Sequence, residues 1–156
     1  MSFSICPLDG DQFADLFTLT PDQLAAADIV ERTALERHSC PCRVSLVDAE
    51  VGEKLLLFNY EHLAVASPYR SHHAIYVRRG AQTANPSPGE VPEQLRRRML
   101  AVRGFDTSGM MIEAEIVDGP VLEGAIKTAF ANQAVDYLHL HYAAAGCYAA
   151  RVNRVD

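Results

Sequence analysis

Tyr137-Leu138-His139-Leu140-His141-Tyr142, then Ala143-Ala144-Ala145-Gly146, then Cys147-Tyr148-Ala149-Ala150-Arg151-Val152, is the stretch whose reading decides the fold. Residues two apart on a strand point to the same face. A strand over 135–142 therefore projects His139 and His141 together, with Leu138 and Leu140 on the other side. The glycine-containing connection returns the chain as a second strand over 147–152, which makes an antiparallel pair. Working outward, Ile112, Ala114 and Ile116 alternate with Glu113 and Glu115, the pattern of a half-solvated strand. With residues 95–102 it frames the loop Gly104-Phe105-Asp106-Thr107-Ser108-Gly109 as a hairpin. Residues 54–60 read as a strand buried on both faces, 74–77 as the next, 2–7 as an opening strand, and Val44 with Leu46 as a short one.

Between the last two strand pairs lies the best helix. Pro120 suits its start, and Val121, Leu122, Ala125, Ile126, Ala129 and Phe130 form an apolar stripe at helical spacing over 120–131. Short helices are expected over 11–17 and 21–27, the second with Thr20 as N-cap, Pro21 at its first position and Asp22 in its first turn. Residues 83–92, with Pro86, Pro88, Gly89 and Pro92, read as a mobile loop. Strand pairs joined by short turns give an α+β fold: a mainly antiparallel sheet covered by one long helix and the N-terminal helices.

The chain of 156 residues is long enough for one domain, expected over 3–155, and its 49% hydrophobic content supplies a core that needs neither disulfide nor metal to fold. Of the formal charge of −6, all is carried by the first 31 residues, where Asp9, Asp11, Asp15, Asp22, Asp28 and Glu31 meet no Lys or Arg. That acidic segment argues against nucleic-acid binding, which needs a basic footprint. Arg96-Arg97-Arg98 is a local exception that reads as a solvated edge. No segment approaches the ~20 apolar residues of a membrane helix. The opening Met1-Ser2-Phe3-Ser4-Ile5-Cys6 has no basic region followed by an apolar run, so a cytoplasmic protein with four free thiols is expected.

Candidate chemistry centres on His139 and His141, two imidazoles on one rigid face. They could bind metal, with Cys147 as third ligand, or an anionic ligand, or simply hydrogen-bond within a polar sheet face. Cys42, beside Arg43 in Cys40-Pro41-Cys42-Arg43, is a candidate nucleophile with a histidine base. Arg70, in a proline-held loop after Tyr69, has the planar fork that grips carboxylate or phosphate. His72 and His73 are adjacent, so they face opposite sides and are expected at the surface. No phosphate loop, nucleotide fingerprint, Gly-x-Ser-x-Gly or His-Glu-x-x-His is present.

Three stretches together resemble an uncharacterised bacterial family, the domain of unknown function 1203. They are Pro41-Cys42-Arg43-Val44-Ser45-Leu46; Ser67-Pro68-Tyr69-Arg70 with Ile75-Tyr76-Val77-Arg78; and His139-Leu140-His141 with Gly146-Cys147-Tyr148-Ala149-Ala150-Arg151-Val152. The resemblance spans about residues 3–155. It implies that Cys42, Arg43, Tyr69, Arg70, His139, Gly146 and Cys147 recur in the family. Ser45 stands where the family has a second cysteine, and His73-Ala74 where it tends to have Gly-Pro, so His72 and His73 look peculiar to this chain.

The favoured expectation is a domain that binds a small anionic metabolite or peptide-like ligand in an Arg/His/Cys pocket, with acid–base chemistry open to its histidines. Cys42, Arg43, Tyr69, Arg70, His139, His141 and Cys147 would gather around one concave site. Catalytic candidates are His139, His141 and Cys42. No cofactor and no tightly bound metal is expected. Two alternatives stand beside it: a zinc-type site of His139, His141 and a cysteine, and a structural or protein-interaction domain without a small-molecule site.

Overall fold

The computed structural model describes residues 2–155. Strand β1 (Ser2–Cys6) leads into a 3-10 helix (Gly10–Thr18) and helix α1 (Pro21–Ala26). Strands β2 (Val30–Thr33), β3 (Lys54–Leu63) and β4 (Ser71–Arg78) follow, then helix α2 (Glu93–Arg96), strands β5 (Met99–Phe105) and β6 (Met111–Asp118), helix α3 (Leu122–Ala131), and strands β7 (Tyr137–Tyr142) and β8 (Tyr148–Val155). The fold is α+β. Two sheets form, with strand orders β1-β8-β7-β5-β6 and β2-β3-β4, and every strand pair is antiparallel.

Alternation in β7 sorts its side chains. Leu138 and Leu140 enter the main core with Leu100, Val102 and Val152, beneath Leu122, Ile126, Ala129 and Phe130 of α3. The long helix thus covers one face of the five-stranded sheet, as its apolar stripe requires. Tyr137, His139 and His141 point the other way. A separate core forms where Leu56, Phe58, Ile75 and Val77 of the three-stranded sheet meet Phe13, Leu24 and Ile29 of the N-terminal helices. The two sheets join through Leu63, Phe105 and Tyr137, and through rings described below.

Three expectations change. Val44 and Leu46 belong to no strand: residues 41–48 form a compact turn closed by isolated bridges, Pro41 to Asp48 and Cys42 to Tyr76. Leu46 has φ of 51°, a left-handed conformation that breaks strand alternation. It sends Val44 and Leu46 into different cores. The segment over 10–18 is helical, but of the 3-10 type. The hairpin strand expected from residue 95 begins at Met99, because Glu93–Arg96 take a helical turn first. Among the described residues no helix is long and apolar enough to cross a membrane.

Candidate functional site

β7 is the central strand of the larger sheet, so His139 and His141 are flanked on both sides. Opposite His139 stand Arg103 of β5 and Arg151 of β8; opposite His141 stand Ala101 and Tyr148. Both imidazoles are buried, 1% and 0% exposed. Above this face sit His62 of β3 and His73 of β4. The facing nitrogens His62 Nε2 and His73 Nδ1 are 2.7 Å apart, and His62 Nδ1 is 3.3 Å from His139 Nδ1. The His62 ring is stacked between His73 (4.9 Å between centroids) and Tyr148 (4.8 Å), and meets His141 edge-on at 5.1 Å. Ring nitrogens of His62, His73 and His141 all lie within 4.8 Å of one another.

Two β-bulges shape the cluster. In β3, Glu61 pairs with His72 and Leu63 with Ser71, which leaves His62 as the extra residue. A bulge re-aims its side chain, here toward the other sheet. In β8, Leu140 pairs with Ala150 but His141 with Tyr148, so Ala149 is extra. Without that extra residue Cys147 would share a face with His141. With it, Tyr148 takes the histidine face, and Cys147, whose carbonyl accepts from Tyr142 N–H, goes to the other.

His141 is held by Nδ1, which donates to the Gly146 carbonyl at 2.9 Å. Gly146 has φ of 76°, a conformation natural to glycine, and this turn aims its carbonyl back at the ring. The bond puts the proton on Nδ1 and leaves Nε2 as a lone pair. That Nε2 is buried without a hydrogen-bond partner among the described residues.

All four imidazoles are neutral at pH 7. Burial first, then His62, His141 and the two flanking arginines, pushes His139 down to about 2. Burial and Arg103 hold His141 at about 3, although the Gly146 bond pulls upward. Burial, His73 and Arg103 bring His62 down to about 4. His73 is lowered by burial and by Arg103. Three of these neutral rings, His62, His73 and His141, bring ring nitrogens together with no carboxylate or thiol in the group, which makes a nitrogen-only donor set.

The other candidates lie elsewhere. Arg43 is buried and donates to the carbonyls of Tyr148 and Pro41, under the Tyr142 ring at 4.9 Å. Cys42 is buried, its sulfur accepting from Arg78 N–H at 3.3 Å. Cys147 and Arg43 line a mainly apolar cleft of about 740 Å³ with Tyr76, Met99, Ile116 and Tyr142. Tyr69 packs on the Leu63–Phe105–Tyr137 cluster. Arg70 is exposed and paired with Glu61. The structure therefore brings together His139 and His141 but not Arg43, Tyr69, Arg70 or Cys147. Sequence reasoning missed His62 and His73. The two-residue spacing of Tyr137, His139 and His141 on one face could be read from the chain, but the bulge at His62 could not. All four cysteines are unpaired.

Neither a curated protein nor a solved structure matches the chain. A family model does match, over residues 39–154, which takes in every histidine of the cluster. On that match the chain belongs to the family described as Protein of unknown function (DUF1203).

Proposed function

We propose that the chain binds a divalent transition metal of the zinc class through His62, His73 and His141, with a coordination position left open. The observation that carries this reading is the buried, unpartnered Nε2 of His141, in a group whose ring nitrogens lie within 4.8 Å of one another. Burying a polar atom without a partner is costly, and a metal would satisfy it. Three neutral imidazoles are a complete protein ligand set for an open zinc site. Arms of 2.0–2.1 Å in tetrahedral geometry put ligand nitrogens about 3.4 Å apart. The His62–His73 pair would open slightly, and the longest spacing would close by roughly an ångström.

The surroundings match what such ligands need. A metal-bound histidine usually donates its other N–H to a neighbour that fixes its tautomer. His141 does so to Gly146, and His62 Nδ1 can do so to His139 Nδ1. His139 is then a positioning residue. Because His73 stands where the family tends to have glycine, the centre is proposed for this chain and not for the family at large. One observation favours a purely structural cluster instead: His62 and His73 already bond to each other.

The test is cobalt and zinc titration of the chelator-stripped chain. One equivalent should bind, and Co(II) should show the visible bands of a low-coordinate nitrogen site. His73→Ala and His141→Ala should each weaken binding by more than the ~10–100-fold expected for loss of an orienting partner, and His139→Ala by about that amount. No uptake by wild-type chain, or full uptake by His141→Ala, leaves the structural cluster as the reading.

A further inference from the structure

We propose that Arg103 holds a small oxyanion, a carboxylate or phosphate group, against the open position of the histidine centre. This rests on the metal reading above and names what the centre takes.

Arg103 stands directly opposite His139 in the β5–β7 ladder. Opposed residues share a face with Cβ atoms about 4.5–5.5 Å apart, so the guanidinium is beside the cluster. Its charge bears on all four rings, His62, His73, His139 and His141. Arg103 is half-buried, and burial lowers its pKa; among the described residues no hydrogen bond or ion pair engages it. A partly desolvated guanidinium with nothing to bind is unusual, because its five donors normally find acceptors.

The neighbouring cations are consumed. Arg151, on the other side of His139, donates to Asn153 Oδ1 at 2.8 Å and lies 3.8 Å over the Tyr137 ring. Arg43 is spent on carbonyls. Among the described residues Arg103 faces the histidines with none of its donors engaged. Two residues along β5 on the same face, opposite His141, is Ala101, whose methyl group leaves room between the guanidinium and the centre.

Charge gives the ligand its sign. A dication on neutral imidazoles, flanked by Arg103 and Arg151 and with no carboxylate in the group, is strongly positive and needs an anion. Geometry gives it its class. One oxygen can occupy the open metal position while others accept from the planar guanidinium fork, an arrangement suited to carboxylate and phosphate.

The experiment uses Co(II)-loaded full-length chain titrated separately with inorganic phosphate and with acetate, followed by the visible spectrum. Wild type should show a saturable band shift with at least one of them, and the tighter-binding anion tells phosphoryl from carboxylate. Arg103→Gln should bind one equivalent of cobalt as wild type does, yet need at least ten-fold more anion for the same shift. Arg103→Lys should fall between them, since it keeps the charge and loses the fork. Circular dichroism and cobalt stoichiometry establish that both variants are folded and loaded. Cobalt uptake with no anion response, or an Arg103→Gln titration that overlays wild type, overturns the anion assignment and leaves the metal reading standing. Absence of cobalt uptake by wild type overturns both.

Discussion

Replacing Arg43 by Ala removes a guanidinium that is 2% exposed and leaves the carbonyls of Pro41 and Tyr148 without their donor. The loss of such a buried bonded cation is expected to cost about 3 kcal/mol or more. At roughly 2–4 °C per kcal/mol for a chain of this size, a melting curve should show Tm lower by about 6–12 °C. Arg70→Leu removes only an exposed ion pair with Glu61, worth ~1 kcal/mol at most, so its Tm should stay within a few degrees of wild type. Equal effects of the two substitutions would contradict this division. Both arginines carry the fork that the sequence analysis singled out for anion binding. What separates them is long-range: Arg43 bonds a residue 105 positions away, and no local pattern announces that. The same holds for Cys42, whose sulfur is spent on the backbone of Arg78. His139 and His141, in contrast, were legible as a pair because strand alternation is a purely local rule.

The elements at the N-terminus show how much local chemistry a chain can announce. Thr20 accepts from Gln23 N–H, and the Gln23 side chain accepts from Thr20 N–H, a reciprocal cap at the start of α1. Its end is equally defined. Ile29 N–H donates to the Leu24 carbonyl and Asp28 N–H to that of Ala25, with Leu24 and Ile29 packed in one core, which is a Schellman termination. The left-handed position within it, normally glycine, is Asp28 with φ of 56°. An aspartate there is strained and puts a negative charge at the negative end of the helix. Asp28→Gly should therefore raise stability by about 0.5 kcal/mol and Tm by one or two degrees, the gain being reduced by the greater freedom of glycine in the unfolded chain. A lower Tm would show that Asp28 has a partner more valuable than the strain it bears. The strands were legible wherever alternation or apolar runs continued unbroken, and obscure at their irregularities. A bulge adds one residue with no signature in composition, yet it reverses the face of everything beyond it. That is why Cys147 was expected beside His141 and is found beside Arg43, and why His62 reaches the cluster at all.

On the scale of the molecule, the four histidines sit where the two sheets meet, so their charge state bears on how the sheets are held together. In the metal-free chain this gives a signed dependence on pH. Unfolded, each histidine takes up a proton near 6.5; folded, His62, His141 and His139 resist it until about 4, about 3 and about 2. Between those limits the unfolded state binds more protons, so stability falls as pH falls below 6.5, and these groups contribute no slope above it. Each ring that stays neutral subtracts up to about 1.4 kcal/mol per pH unit, and several act together. The chelated chain should hold a constant Tm from about pH 8 to 7 and lose it steeply from about pH 6 to 5, above the range in which exposed carboxylates titrate. His139→Phe separates this cause from general acid sensitivity. A phenyl ring beside Phe105, Tyr137 and Tyr148, which already contact the imidazole, keeps the packing and cannot take up a proton in either state. Its melting curve should therefore fall less steeply over the same interval. A wild-type profile that stays flat to about pH 5, or a His139→Phe profile with the wild-type slope, would mean that the cluster admits protons in the folded state. The neutral, lone-pair-bearing rings on which metal binding depends would then be absent at mildly acidic pH.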